Sequence, residues 1–144
     1  MEENKYYTPS LEEFCIGFEY EITNDGDETN ETSWFKTIFG TGIGTHIICS
    51  QEYWQQYIED YINKKCIRVK YLDQQDIEEC GGKRYNDINE TINMNHIGRF
   101  TLSYIPRTKN MHICYSGDSN IIKFNGTIKN KTELKKLLKQ LNIV

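Results

Sequence analysis

Short runs in which apolar and polar residues alternate constrain the fold of this chain more than any other feature. The first run is FEYEIT, residues 18–23, and two more, RFTLSYI and MHICYS, lie within residues 99–116. A period of two residues is typical of a strand with one buried and one solvated face. In the first run, Phe18, Tyr20 and Ile22 share the predicted core face. Glu19 and Glu21 share the other.

Helical segments separate these runs. Ser10 and Glu13 form a capping box that predicts one helical turn within residues 8–14. Ser50 is a favourable N-cap for a helix over residues 50–65, and Asp73 for a short helix that ends before Gly81. The helix from Ser50 has a broad apolar stripe on one side, which consists of Tyr53, Trp54, Tyr57, Ile58, Tyr61 and Ile62.

The C-terminal segment has the clearest helical pattern. We expect Thr132 to cap this helix. Its predicted apolar stripe consists of Leu134, Leu137, Leu138 and Leu141. A helix this short is marginal alone, so the leucines are expected to pack on a sheet.

The order of these elements predicts the fold class. Strands come in runs and not in strict alternation with helices, which favours an α+β fold with a mostly antiparallel β-sheet. The C-terminal amphipathic helix is expected on one face of that sheet, in a single α+β domain of residues 1–144. Residues 33–39 are expected to pair antiparallel with residues 18–23, which would place Lys36 across from a glutamate. The polar residues 86–97 are interpreted as a loop.

Composition limits the class of partner. The net charge is −4 and the pI is about 5.4, which disfavours sequence-independent nucleic-acid binding through phosphates. Ten of the 21 acids lie in residues 1–33, beside one lysine, which permits self-association or a charged partner. No apolar run approaches the roughly 20 residues of a membrane span. The N-terminus has no apolar core typical of a secretory signal, so we expect a cytosolic protein with thiols and not disulfides at its five cysteines.

Three residue pairs have side chains that suit catalysis or metal binding. Glu19 and Glu21, roughly 6–7 Å apart on one strand face, could serve as acid and base, but the polar run NDGDETNETS that follows favours a solvated strand face. His112 and Cys114 could share a metal on one strand face, although two ligands do not make a site. His46 and Cys49 are the remaining histidine–cysteine pair. We predict no catalytic residue, no metal site and no cofactor.

A glycine-rich segment, GTGIGT at residues 40–45, precedes the tyrosine-rich helix. Loops of this composition before a helix can cradle phosphate with backbone amides. The spacing matches no established nucleotide motif, and a glycine hinge or tight loop is the alternative.

Three blocks of the sequence resemble a known family. They are YYTPSLEEFCIGFEYE near the start, IRVKYLDQQDIEECGG in the middle and FNGTIKNKTELKKLLKQLNIV at the end. These blocks are similar, in order, to a family of small uncharacterised proteins that bacteriophages of gut Bacteroidales encode, often in several copies. Residues 40–64 resemble no block of that family. The resemblance implies a phage origin and no known catalytic residue.

Small multi-copy phage proteins with a constant scaffold and a variable central segment often act against the host. By this analogy we expect a non-catalytic accessory protein in the cytoplasm of the infected host, a candidate anti-defence factor that sequesters a nucleotide signal or inhibits a host defence protein. Homo-oligomers are possible. The alternatives are a virion or host-takeover subunit without a small-molecule ligand, or a small nucleotide-processing enzyme. The predicted ligand-binding residues are Gly42, Gly44, Thr45, Tyr53, Trp54, Lys70 and Arg99.

Overall fold

A computed structural model describes residues 4–23, 34–40, 51–85 and 91–143, without the side chains of residues 51–54. Within this part of the chain the fold is α+β, as the sequence predicts, with two antiparallel sheets of four and five strands and three helices. The expected antiparallel sheet is thus two sheets. The chain separates into two compact units, Met1–Tyr71 and Leu72–Val144. The single-domain organisation stays a prediction.

The described part of the first unit contains five regular elements and a 3-10 turn: β1 (Tyr6–Tyr7), the turn Leu11–Glu13, β2 (Glu19–Thr23), β3 (Trp34–Ile38), α1 (Gln51–Asn63) and β4 (Ile67–Lys70). Its strands lie in the order β1-β4-β2-β3, all antiparallel. The predicted pairing of β2 with β3 is confirmed, and Glu21 lies opposite Lys36. The predicted capping box is also confirmed, since the Ser10 amide donates to Glu13 Oε2 over 2.7 Å.

The core of the first unit lies on one face of its sheet. Phe18, Tyr20 and Ile22 are buried there, as their alternation predicts. Ile58 of α1 is buried in the same cluster, while Tyr57 and Tyr61 are partly buried against it. The described part of the predicted stripe on α1 therefore faces the core. The predicted N-cap, Ser50, lies outside the described residues.

The second unit has seven elements: α2 (Gln74–Glu79), β5 (Lys83–Arg84), β6 (Asn93–Ile97), β7 (Phe100–Ile105), β8 (Asn110–Tyr115), β9 (Asp118–Thr127) and α3 (Lys131–Gln140). The five strands form a meander in sequence order. Its central strands bury Leu102 and Tyr104 of β7 and Met111 and Ile113 of β8, as predicted. The Asp73 cap of α2 is also confirmed, because its side chain accepts from the Asp76 amide.

Strand β6 corrects the prediction of a loop over residues 86–97. It pairs along its whole length with β7. Its alternation was hidden because the core-facing positions include two asparagines, Asn93 and Asn95, both buried. Asn95 exchanges two amide hydrogen bonds with Gln74 of α2, at 2.8 and 3.1 Å. This reciprocal pair gives the buried amide of Asn95 hydrogen-bond partners, which makes this polar residue tolerable in the core.

Helix α3 packs against the sheet of the second unit as predicted. Leu134, Leu137 and Leu138 are buried in one cluster with the central strands, and Leu141 is partly buried against it. The expected cap was wrong, because Asn130 and not Thr132 occupies the N-cap, and its side chain accepts from the Glu133 amide over 2.9 Å. Thr132 lies inside the first turn and is buried.

Strand β9 is the last strand of the meander and runs through Asn125 and Gly126 without a turn. Its register against β8 shifts on the N-terminal side of Phe124, next to Cys114. The pairing of Asn125 and Gly126 with β8 is regular. None of the helices in the described part of the chain combines the length and the apolar character needed to cross a membrane.

Candidate functional site

The candidate site lies on the face of the first sheet that turns away from its apolar core. Residues directly opposite each other in antiparallel strands share a face. Glu21 lies opposite both Arg68 and Lys36, and Tyr6 lies opposite Lys70. Side chains of four strands therefore meet on this surface, which we call the Arg68 face: Tyr6, Glu19, Glu21, Trp34, Lys36, Arg68 and Lys70.

Arg68 occupies the centre of the Arg68 face. Its guanidinium carbon lies 3.7 Å from the centre of the Tyr6 ring and 4.2 Å from that of the Trp34 ring. Its Nη2 lies 3.3 Å from Glu21 Oε1. Aromatic faces attract a cation, and the attraction grows where water is excluded. The stack and the carboxylate together make a buried guanidinium tolerable in this sheet.

Glu21 corrects the expectation that both glutamates of FEYEI face solvent. Its side chain is only 14% exposed, and that of Arg68 only 11%. Lys36, the partner expected from the strand pairing, is exposed. The Glu21 carboxylate therefore takes part in a buried ion pair.

Trp34 contributes a second polar group to this face. Its indole Nε1 is buried and has no hydrogen-bond partner among residues 4–23, 34–40, 51–85 and 91–143. Buried donors without an acceptor are rare in proteins, and each one calls for a partner such as an ion or a ligand. The donor belongs to a ring stacked on a guanidinium, and this positive charge favours an acceptor that carries negative charge.

The charges of the Arg68 face favour the same chemistry. Arg68, Lys70 and Lys36 outnumber the two carboxylates, Glu19 and Glu21, on this surface. Lys70 is half-buried, so its ammonium is less screened than one on an open surface. Two aromatic rings and several cations on one sheet face suit a planar anionic ligand.

The predicted ligand-binding residues are only partly described. Gly42, Gly44 and Thr45 lie outside the described residues, as do the side chains of Tyr53 and Trp54. Lys70 lies on the Arg68 face, at the end of β4. Arg99 is exposed in the turn between β6 and β7 of the second unit.

Sequence reasoning missed Tyr6, Glu21, Trp34 and Arg68 as members of one site. The available signal was a complementary alternation, in which the glutamates of FEYEI recur at every second position and the bases of IRVK do the same. Two such strands gain cross-strand ion pairs when they are neighbours. The contribution of Trp34 depends on the register of a third strand, which one sequence does not specify.

A second polar cluster lies on the sheet of the second unit. Tyr85 Oη lies 2.8 Å from His96 Nδ1 and 3.3 Å from Thr101 Oγ1, and Thr101 Oγ1 lies 3.1 Å from Ser116 Oγ. His96 and Ser116 are exposed. We interpret this chain of hydroxyl groups as a link between strand β6 and the turn after β8.

The histidine–cysteine pairs do not assemble a metal centre in the described residues. His112 and Cys114 share a face of β8, as expected, and are both half-buried. No three His, Cys, Asp or Glu side chains gather as metal ligands within the described part of the chain. His46 and Cys49 fall outside it.

Three comparisons with known proteins found no match to this chain: no family model, no curated protein and no solved structure matches it.

Proposed function

We propose that the protein is a non-catalytic binding protein of bacteriophage origin that sequesters an anionic, nucleotide-type ligand in the cytoplasm of the infected host. In this role it is a candidate anti-defence factor, which would withdraw a nucleotide signal from a host defence system. The phage origin and the anti-defence role follow from the three blocks that resemble the phage family, by analogy. The ligand class follows from the Arg68 face.

The buried indole N–H of Trp34 is the observation that carries the ligand class. It has no acceptor among the described residues, and its ring lies 4.2 Å from the guanidinium carbon of Arg68. A phosphate oxygen would accept the hydrogen bond of this N–H, and Lys70 on the same face would pair with the phosphate charge. A nucleobase would stack against the aromatic rings, which inorganic phosphate cannot do.

The test is thermal unfolding and calorimetry of the full chain with cyclic and linear nucleotides, with inorganic phosphate as the ligand that cannot stack. A ligand at about 100 times its Kd stabilises a protein by about 2.7 kcal/mol, which raises Tm by several degrees. Nucleotide recovered after denaturation should be chemically intact. Altered nucleotide would indicate the enzyme alternative.

Two variants locate the site. Trp34→Phe removes the indole donor but keeps an aromatic ring, and Lys70→Gln removes the ammonium. Each should weaken nucleotide binding about tenfold or more, which corresponds to losing one charge-assisted hydrogen bond. Lys64→Gln is the matched control. Lys64 is an exposed lysine of the same unit that follows the end of α1 and pairs with Asp60 of that helix. Unchanged affinity in both site variants would refute the proposed site.

A further inference from the structure

The long edge strand of the second sheet offers a different kind of binding surface. Among the described residues, strand β9 pairs only with β8 and ends the order β5-β6-β7-β8-β9. It spans ten residues, whereas β5 at the opposite edge spans two. Native proteins usually keep edge strands short, covered or charged, because an open edge is a template for another strand.

The hydrogen-bond alternation shows which amides of β9 point away from the sheet. The Ile128 amide donates to the Lys109 carbonyl over 2.9 Å. Antiparallel neighbours alternate between bonded and non-bonded pairs, and the register is unbroken from Asn110↔Thr127 to Ile113↔Phe124. Phe124 and Gly126 therefore bond to β8. The backbone groups of Asn125 and Thr127 face the open edge.

Side chains on β9 and just after it bring exposed apolar and basic groups to this edge. Ile121 and Ile122, at the bulged end of the strand, are 46% and 55% exposed. From Asp118, the first residue of β9, to Glu133 the sequence contains three lysines and two acids, and one of these lysines, Lys131, pairs with Glu79. Lys123 lies on the strand and Lys129 just after it, and both are exposed. Outward amides supply affinity for an added strand, and flanking side chains select its sequence.

We propose that the β9 edge binds an extended segment of a partner protein, in which apolar residues face Ile121 and Ile122 and acidic residues face the lysines. A second copy of the chain is less complementary in charge than an acidic segment, because it would bring the same lysines to this edge. The proposal is independent of nucleotide binding, since all of its residues lie in the second unit.

The probe is a fluorescent eight-residue peptide of alternating valine and glutamate, measured by anisotropy against the full chain. A peptide of alternating valine and lysine is the charge control. The acidic peptide should bind at least tenfold more tightly than the basic one. Hydrogen exchange should slow at the amides of Asn125 and Thr127 when the acidic peptide binds, because these amides then enter a ladder.

Three variants separate backbone pairing from charge. Asn125→Pro removes one outward amide and leaves the ladder with β8 intact, so affinity should fall at least tenfold while Tm stays close to that of the wild type. Asn125→Thr keeps the amide and should bind like the wild type. Lys123→Glu should weaken the acidic peptide and strengthen the basic one. The proposal is overturned by equal binding of both peptides, by unchanged exchange at Asn125 and Thr127, or by a dimer that Asn125→Pro dissociates.

Discussion

Replacing Glu21 with glutamine tests whether the ion pair with Arg68 is a structural necessity of the first sheet. Glutamine preserves the shape of the side chain and removes its charge. The guanidinium of Arg68, whose side chain is 11% exposed, then keeps its aromatic neighbours but loses its carboxylate. Removing one partner of a buried pair costs about 3–5 kcal/mol, because an uncompensated charge remains.

The geometry places Glu21→Gln at the lower end of this range. The distance of 3.3 Å between Arg68 Nη2 and Glu21 Oε1 is long for a charged hydrogen bond, and neither side chain is completely enclosed. We therefore expect a loss of about 3 kcal/mol in the free energy of unfolding. With an m value of about 1.5 kcal/mol/M, the urea midpoint should fall by roughly 2 M.

Urea denaturation at neutral pH measures this loss, and Lys36→Gln is the matched control. Lys36 lies opposite Glu21 on the other neighbouring strand but is exposed, so its neutralisation should cost less than about 1 kcal/mol. The double variant Glu21→Leu with Arg68→Met should recover to within about 1 kcal/mol of the wild type. If Glu21→Gln costs no more than Lys36→Gln, the carboxylate is solvated, as the alternation of FEYEI predicts, and the buried pair is refuted.

Three further predictions concern the scaffold. Burial raises the pKa of Tyr20 to about 12. Because this pKa lies above the unfolded value of about 10, the neutral hydroxyl contributes stability that is fully present below about pH 10. This stability is lost as the pH rises through 12. Between pH 8 and about pH 11, the free energy of unfolding of Tyr20→Phe should therefore fall by about 1.4 kcal/mol less than that of the wild type. Urea denaturation measures this difference. Gly82→Ala should cost about 2–3 kcal/mol, because the new Cβ would lie 2.7 Å from Ile77 Cγ2; full stability would contradict this contact. Asn130→Ala should cost about 1 kcal/mol and Asn130→Asp much less, since aspartate also accepts from the Glu133 amide; equal midpoints for the two variants would refute the cap.

Local patterns predicted most elements of this fold, because the apolar side chains of FEYEI, the meander and α3 repeat at the period of their own backbone. The misreadings have one physical cause, which is polar residues that contact distant parts of the chain. Asn95 looked like a loop residue because its amide partner, Gln74, lies in another element. Glu21 looked solvated because its partner, Arg68, is 47 positions away. The candidate site consists of such contacts, so one sequence predicted Lys70 but not its neighbours.

The charge distribution separates the two proposed binding events. The first unit contains thirteen acidic and six basic residues, and the second contains eight and eleven, of 21 and 17 in the chain. An anion that approaches the Arg68 face is attracted by the nearby cations and repelled by the net negative charge of the first unit. Because salt screens both effects, they partly cancel in the salt dependence. An acidic peptide at the β9 edge meets attraction at both ranges. Nucleotide binding should therefore depend weakly on salt and peptide binding strongly. Equal salt slopes in the same titration would mean that the local charges do not select the two ligands.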